Sequence, residues 1–475
     1  MLKDTEKKFL EKKIKLWNQN NLRQKSFFSK NYESLILHFY KHLIPKKSQI
    51  LEIGCGDGSL LEKLDPSSAV GIDISNVAIQ NGLNKNYKNI DLYCFDSFDN
   101  FKLENKKSFD YIIISDLVND LYDIDEFLKL LGNYCNENTK IIFNFFSNIW
   151  KLPRDICEKF GLCDKLENQN WIDPYDLQNL LNLNDFEIIS KKTEILFPLD
   201  NFLSKFLNKY LSKIWPFNLL NLTNFFVVRK IRPVEIEKSV SIVIPCRNEE
   251  GHIKNLINRI PQIGLKTEVI FVEGGSKDKT FDEIQSCLNS RKDIEMKLIK
   301  QKGSGKGDAV RAGFEISSNE ILMILDSDIS VAPENLRKFY DLIKNSKGEF
   351  INGVRLVYPM ENKAMRFLNL LGNKFFAYSF SWVLNQRIKD TLCGTKVLSK
   401  SNYEKIKKNR SYFGEFDPFG DFDLIFGAVK QNLKIVDLPI RYFAREYGET
   451  NISRWKHGLL LLRMLIYASK KIKFI

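Results

Sequence analysis

The chain has 475 residues, 44% of them apolar and 28% charged, proportions that exclude a disordered, collagen-like or fibrous protein. At roughly 100 to 200 residues per domain, this length predicts two domains. The net charge of +13 is unevenly placed: residues 1–230 hold 31 Lys and Arg against 30 Asp and Glu, which leaves +12 for residues 231–475.

A basic half attracts nucleic acid, anionic lipid and phosphorylated small molecules alike. No arginine-rich tract or nucleic-acid-binding motif accompanies the charge, so phosphate-bearing small ligands are the expected partners and nucleic acid is not. Eight cysteines (Cys55, Cys94, Cys135, Cys157, Cys163, Cys246, Cys287 and Cys393) form no C-x-x-C pair, which suits a reduced, cytoplasmic compartment and disfavours a zinc site. The opening MLKDTEKKFLEKKIKLW lacks the apolar core of a signal peptide, so no export is expected. No run of about 18 uncharged apolar residues predicts a spanning helix. The nearest, GLLLLRMLIYA (residues 458–468), is short and is split by Arg463, so it suits lying on the inner membrane surface and not crossing it.

In chain order, a lysine-rich helical leader precedes SQILEIGCGDG (48–58), where a buried strand runs through a turn into a helix. The apolar runs AVGIDIS, FDYIIISD, KIIFNFF, FEIISKKTEIL and NFFVVRK then alternate with helical stretches, and the first domain is expected to span 1–230. After the charged connector RKIRPVEIEK, KSVSIVIPCRNEEG (238–251) opens a second domain, 231–475, in the same way. TEVIFVEGG, EMKLIKQ, ILMILDSD and EFINGVRLV follow as strands, then an aromatic-rich stretch from Tyr358 to Arg387 that reads as irregular. From Arg454 the pattern predicts an amphipathic helix with Lys456, Arg463, Lys470 and Lys471 among leucines. The fold class is therefore α/β with two doubly wound domains.

Gly54, Gly56 and Gly58 follow a strand directly, where missing side chains let backbone approach a ligand and a helix N-terminus point at it. Asp73 ends the next strand, where a carboxylate can accept hydrogen bonds from ribose hydroxyls. A dinucleotide fingerprint wants glycine at position 59, where Ser59 stands, so a cofactor without a pyrophosphate is favoured over NAD. A glycine pattern alone is equally an ordinary tight turn. The order of LEIGCGDG and GIDIS, however, resembles class I S-adenosylmethionine-dependent methyltransferases over about residues 30–230, with a Rossmann-like fold. The resemblance implies Glu52, Gly54, Gly56 and Gly58 at the methionine end, Asp73 on the ribose, Asp96 near the adenine and Asp116 after the fourth strand. Asp116 is equally suited to cap the following helix. Methyl transfer from a sulfonium needs mainly positioning.

In the second half, LMILDSDIS is a buried strand ending in Asp326 and Asp328. Two carboxylates at a strand's end can turn toward one hard cation, Mg²⁺ or Mn²⁺, whose other ligands are substrate phosphates. A lone D-x-D is also often just a solvated loop. Here SIVIPCRNEEGHI, TEVIFVEGGSKDKT, KGSGKGDAVRAGF, LDSD, KDTLCGTKV and GDFDLIFGAVK occur together over about residues 238–457, and the set resembles family 2 glycosyltransferases, most of all the polyprenyl-phosphate mannosyl- and glucosyltransferase branch.

That resemblance implies a GT-A fold, an inverting transfer from a nucleotide-diphospho-sugar, and a lipid-phosphate or glycan acceptor. It places Pro245, Asn248 and Glu249 at the nucleotide entrance and Glu273 at the base or ribose. Lys306 and Arg311 serve the phosphates, Asp326 and Asp328 hold the metal, and Arg355 and Lys396 supply cations toward an anionic acceptor. Asp421 or Asp423 is the candidate general base, which a lipid phosphate, already anionic, makes optional. Asp421 is also placed to cap the helix DLIFGAVKQ. The family commonly has two acids before Gly-Ser where this chain has Glu273 and Gly274, so uridine and guanosine donors both stay open. Arg454, Trp455 and His457 precede the last helix, and the apolar 365–387 stretch with that helix suggests peripheral membrane contact or core packing.

The expected function is a bifunctional methyltransferase and glycosyltransferase. The alternatives are a catalytically silent methyltransferase-like docking domain beside an active glycosyltransferase, a nucleotidyltransferase, and a basic nucleic-acid-binding or scaffold protein.

Overall fold

Continuous apolar runs, not alternating ones, mark strands buried on both faces, and these build the two central sheets. The protein is described from a computed structural model covering residues 2–22, 25–95, 108–162, 169–199, 201–231, 237–358, 367–410, 420–443 and 454–475. It forms two compact units, Met1–Ile231 with Phe474–Ile475, and Arg232–Lys473.

The first unit has strands β1 (Gln49–Ile53), β2 (Ser68–Asp73), β3 (Ile90–Cys94), β4 (Tyr111–Ser115), β5 (Lys140–Phe146), β6 (Phe186–Glu194) and β7 (Thr223–Lys230). Their spatial order is β3-β2-β1-β4-β5-β7-β6, with β7 alone antiparallel to its neighbours. Its helices are α1 (Leu2–Leu22), α2 (Phe27–Leu43), α3 (Ser59–Lys63), α4 (Asn76–Leu83), α5 (Ile124–Leu131), α6 (Lys151–Lys159), α7 (Pro174–Leu183) and α8 (Phe202–Lys209). Successive residues of a strand face opposite sides, and the two cores follow that rule. Ile112 and Ile114 of β4 pack with Leu128, Leu131, Leu177 and Leu181 on one face, while Tyr111 and Ile113 pack with Phe39, Tyr40 and Leu43 on the other. Local signals start the helices: Ser26 accepts the Ser29 N–H, and Asp173 with Pro174 and Asp176 makes a capping box.

The second unit has β8 (Val240–Cys246), β9 (Thr267–Glu273), β10 (Glu295–Lys300), β11 (Ile321–Ile324), β12 (Phe350–Val354), β13 (Lys396–Ser399) and β14 (Ile435–Pro439). The order is β10-β9-β8-β11-β13-β12-β14, and only β13 runs antiparallel to its neighbours. Its helices are α9 (Ile253–Arg259), α10 (Thr280–Cys287), α11 (Lys306–Ile316), α12 (Leu336–Lys344), α13 (Phe367–Leu384), α14 (Lys400–Lys408), α15 (Phe422–Lys430) and α16 (Arg454–Ala468).

The sheets match the doubly wound expectation, and the sequence pattern does not show three of the strands or one of the helices. β3, β13 and β14 are short and were not singled out. The stretch read as irregular holds the 18-residue helix α13; it is apolar on nearly every side, so no amphipathic period reveals it. One face of α16, Leu461, Met464 and Ala468, joins the core with Phe380, Val383 and Leu384 of α13. The chain continues from α16 as a π-helical turn, Ser469–Lys473. Among the described residues, no helix is long and apolar enough to cross a membrane.

Candidate active sites

In the first unit, Gly54, Gly56 and Gly58 sit at φ +81°, +56° and +75°, the left-handed region that glycine occupies without strain. The Gly56 N–H donates to Asp73 Oδ2 at 2.8 Å and the Ser75 N–H to Asp73 Oδ1 at 2.7 Å, so Asp73 ties the ends of β1 and β2 into one cradle. A Cβ on Gly56 would meet nothing within 4 Å, because the residue faces a cavity of about 890 Å³ lined also by Glu52, Gly54, Asp73 and Asp116. Gly58 is not on that wall; a Cβ there would lie 3.1 Å from Leu92 Cδ2, so this glycine shapes the turn. Asp96 lies outside the described residues.

Glu52 is buried, and its Oε2 has no hydrogen-bond partner among the described residues. Burial, then the charges of Asp73 and Asp57, push its carboxyl well above the usual range. An orphaned carboxylate oxygen beside an open glycine cradle fits the ammonium end of S-adenosylmethionine, and Asp73 fits its ribose. Sequence reasoning missed the part of α1, which walls the cavity with Leu10, Lys13 and Trp17. Lys13 Nζ (2.7 Å) and Trp17 Nε1 (3.1 Å) both donate to Asp120, and Asn18 Oδ1 accepts from Ser75 Oγ at 2.8 Å. No local signal in the leader shows these partners, which lie 57 to 107 residues away.

Asp116 does not cap a helix. It stands at φ +52° after β4, and its Oδ1 accepts from Tyr32 Oη at 3.1 Å and Asn144 Nδ2 at 2.8 Å. Tyr40 Oη in turn donates to Asn144 Oδ1 at 2.5 Å. Burial raises the Asp116 carboxyl to about 7, against the lowering effect of those hydrogen bonds and of Arg154. Between the unfolded value, about 3.9, and about 7 the unfolded chain gives up this proton first, so the group costs stability progressively as pH rises through that window. Asp116→Asn is therefore expected to melt higher than wild type at pH 8 and like wild type at pH 4; thermal unfolding at the two pH values checks it, and an equal difference at both would refute the assignment.

In the second unit, two loops are sewn together beyond β8 and β9. The Asn248 N–H donates to Ser276 Oγ at 3.0 Å, the Lys277 N–H to Asn248 Oδ1 at 2.8 Å, and the Glu249 N–H to Thr280 Oγ1 at 2.9 Å. Asn248 takes the left-handed conformation, φ +56°. Glu273, buried at the end of β9, accepts the Ser276 N–H. Ser327, between the two aspartates, donates to the Pro245 carbonyl at 3.0 Å, fixing the end of β11 beside β8.

Around this edge the charges alternate. Lys306, the first residue of α11, donates to Asp326 Oδ1; burial lowers its pKa, but Asp326 and Asp421 outweigh that and raise it. Asp421 Oδ1 accepts from Lys396 Nζ at 2.8 Å, and Lys396 also donates to the Cys393 carbonyl. A Cβ on Gly307 would sit 2.8 Å from Gly420 Cα, so α11 and the loop before α15 meet backbone to backbone, which carries Asp421 toward Lys306. Asp328 Oδ1 accepts from Ser330 N at 3.1 Å and Ser330 Oγ at 2.6 Å.

The remaining expected residues are engaged in other ways. Asp423 is held by Arg410 Nε at 2.8 Å. Asp421 makes no side-chain cap on α15. Lys396 is fully buried on Asp421, and Arg355 is paired with Asp390 at 2.7 and 2.9 Å. Arg311 is half-buried on α11, one turn from Gly307. The side chains of Arg454, Trp455 and His457 lie outside what is described. Among the described residues, no group of three or more His, Cys, Asp and Glu could hold a metal. Asp326 and Asp328 are carboxylates, the donor type that suits Mg²⁺ or Mn²⁺, and in this structure Lys306 engages the first and Ser330 the second.

The sequence missed Asp390 and Gly394. The Arg355–Asp390 pair ties β12 to the 390–395 loop, with further bonds to Asp390 from the Arg355 and Leu392 N–H groups, both at 3.1 Å. Removing one partner of a buried pair costs about 3–5 kcal/mol. Asp390→Ala should therefore lower stability by that amount in denaturant unfolding; a loss below about 1 kcal/mol would show the pair to be solvated.

Residues 26–191 match the family model of a methyltransferase domain, and residues 241–406 match that of glycosyl transferase family 2. The chain is 27% identical over 218 residues to a dolichol-phosphate mannosyltransferase of Pyrococcus furiosus, covering 45% of this chain and 59% of that protein, so it spans less than two thirds of that relative. It is 25% identical over 249 residues to a UDP-N-acetylglucosamine–dolichyl-phosphate N-acetylglucosaminyltransferase of Methanococcus voltae, covering 48% of this chain and 97% of that one. A solved glucosyl-3-phosphoglycerate synthase of Mycobacterium tuberculosis, bound to Mn²⁺, UDP and glucosyl-3-phosphoglycerate, is 16% identical with a TM-score of 0.36, covering 50% of this chain and 80% of that one. The chain thus carries a methyltransferase domain followed by a family 2 glycosyltransferase domain.

Proposed function

We propose that the second unit transfers a sugar, with inversion, from a nucleotide-diphospho-sugar to a lipid phosphate, and that the first unit transfers a methyl group from S-adenosylmethionine. The observation that carries the glycosyl reading is the gathering of Asp326, Lys306 and Asp421 at one sheet edge beside Asp328, together with the polyprenyl-phosphate substrates named for both curated relatives.

Asp326 and Asp328 would hold a Mg²⁺ or Mn²⁺, which would supply positive charge to a departing nucleoside diphosphate. The chain's own residues do the rest. The loops joined through Asn248, Ser276 and Thr280 form the wall for the nucleotide, with Glu273 at its floor. Lys306 supplies a fixed cation on the phosphate side, poised between two carboxylates. Asp421, already hydrogen-bonded by Lys396, orients the acceptor side; a phosphate acceptor brings its own anionic oxygen and needs no base.

In the first unit, Glu52 orients the methionine end, Asp73 the ribose, and the open face of Gly56 admits the cofactor. S-adenosylmethionine supplies the activated methyl group. The orphaned Glu52 oxygen favours a working cofactor site over a silent docking domain, since a silent site has no use for a destabilising buried carboxylate. Gly56→Trp should abolish S-adenosylmethionine binding in calorimetry, because the indole would enter the cavity; unchanged affinity removes the cofactor from this site.

The acceptor reading implies contact with the inner membrane surface at the cytoplasmic side. Leu371, Phe375, Tyr378 and Trp382 stand exposed along one side of α13, with Leu459, Leu462 and Ile466 on α16, and the seven described cysteines are all free. A panel of nucleotide sugars with Mn²⁺ and a short polyprenyl phosphate tests the whole. Release of nucleoside diphosphate that depends on the lipid phosphate is the expected result; turnover of nucleoside triphosphate with pyrophosphate release would identify a nucleotidyltransferase instead.

A further inference from the structure

A helix on a water-facing surface normally buries its apolar side, and α8 instead buries two polar residues and exposes its apolar ones. Its buried positions are Ser204 and Asn208; Asn208 Oδ1 accepts the N–H groups of Leu196 and Phe197, both at 2.9 Å, and its Nδ2 donates to the Phe197 carbonyl at 2.8 Å. The apolar residues point away: Phe202 is 88% exposed, and Leu203 and Phe206 are exposed beside it. Farther along the same segment, Trp215 is 75% exposed.

A second apolar stripe adjoins it. α6 has no buried residue at all, and Leu152 and Ile156 on it and Phe160 at its C-cap recur every four positions, Phe160 at 76% exposure. The two segments are joined where Trp150 Nε1 donates to the Leu220 carbonyl at 2.7 Å. The cavity that holds Glu52 and Asp73 is walled in part by these same segments, through Trp150, Pro153, Cys157, Phe197, Pro198 and Leu199. The apolar surface therefore lies on segments that border one side of the cavity, as a rim.

Contiguous exposed apolar surface marks an interface, and the charges on this one select its occupant. Residues 201–220 contain no acid, and of their three lysines Lys205 and Lys209 are exposed among the aromatic residues while Lys213 is buried on Glu194; α6 adds exposed Lys151 and Lys159 beside Asp155 and Glu158. Aromatic residues interleaved with lysines are the composition that sits at the headgroup level of an anionic bilayer.

We propose that this rim seats the first unit on an anionic lipid surface, with its cavity opening at the headgroups, so that the group it methylates is carried on a membrane lipid. The identity of the methyl acceptor rests on the cofactor reading above; the membrane contact does not.

The test uses the full chain with vesicles of phosphatidylcholine alone and of phosphatidylcholine with phosphatidylglycerol. Wild type is expected to co-sediment with the anionic vesicles. The triple variant Phe202→Ser, Phe206→Ser, Trp215→Ser should lose at least tenfold in partitioning while keeping its unfolding temperature and its S-adenosylmethionine affinity. The triple variant Leu371→Ser, Phe375→Ser, Tyr378→Ser on α13 separates the two units' contacts. Vesicle binding lost by the α13 variant and kept by the rim variant would overturn the proposal. So would failure of wild type to bind anionic vesicles, a shift from dimer to monomer in the rim variant, which would make a second copy the occupant, or a fall in its unfolding temperature, which would show the rim packed against protein. Lost S-adenosylmethionine binding by wild type would instead strike the cofactor reading and leave the bilayer contact standing.

Discussion

Asp326→Asn and Asp328→Asn are each expected to lower nucleotide-sugar turnover by about 10²–10³-fold while leaving the fold intact, the magnitude typical of removing one preorganised electrostatic partner from a reacting centre. On the proposed reading Asp326 and Asp328 are the carboxylates that would hold the cation, so each amide substitution would remove one charged oxygen ligand. The two variants should also differ. Asp326 is engaged by Lys306 and Asp328 by Ser330, so Asp326→Asn additionally frees a lysine beside the phosphates, whereas Asp328→Asn leaves Lys306 anchored. Raised Mn²⁺ should therefore rescue Asp328→Asn the better of the two. Initial rates at a series of Mn²⁺ concentrations measure this; turnover equal to wild type in both variants would end the metal assignment.

Gly394→Ala is expected to cost as much although it changes no charge and adds one carbon. The new Cβ would fall 2.1 Å from Asp326 Oδ2 and 2.2 Å from Lys306 Nζ, too close for non-bonded heavy atoms, so the carboxylate and ammonium must both move. They are side-chain ends, which can yield without unfolding the chain, but yielding takes Asp326 off the position it shares with Lys306. Misplacement of a reacting group by about 1 Å costs about 10²-fold in rate, and that loss in kcat, with an unfolding midpoint close to wild type, is the expected result. Gly394→Ala with full activity would mean that Asp326 does not act from where the structure holds it. The neighbouring Arg355–Asp390 pair explains why the loop cannot simply retreat: it fixes residues 390–395 to β12.

The reading of the two sheets from apolar runs was sound because a parallel strand buried on both faces must be continuously apolar, a property that any single segment displays by itself. YIIIS, KIIFNFF, SIVIPC and ILMI are such segments. The glycines after β1 were legible for a similar reason, since a left-handed turn at a strand's end calls for glycine locally. α13 was illegible because its aromatic residues serve a core on one side and open surface on the other, which erases the amphipathic period that marks a helix.

What the amino-acid order determined alone was the pair of α/β units and the chemical types at their strand ends: a glycine cradle with an acid, and an aspartate pair with lysines nearby. Which of these side chains meet was decided only by the tertiary structure. Asp421 and Asp423 are indistinguishable in FGDFD, yet one lies against Lys396 near Lys306 and the other against Arg410. Lys396 and Arg355 read as free cations until their partners, 25 and 35 residues away, are folded onto them. Charge pairing and close backbone approach depend on distances between segments remote in the chain, and a sequence written in one dimension carries no record of them until packing brings the segments together.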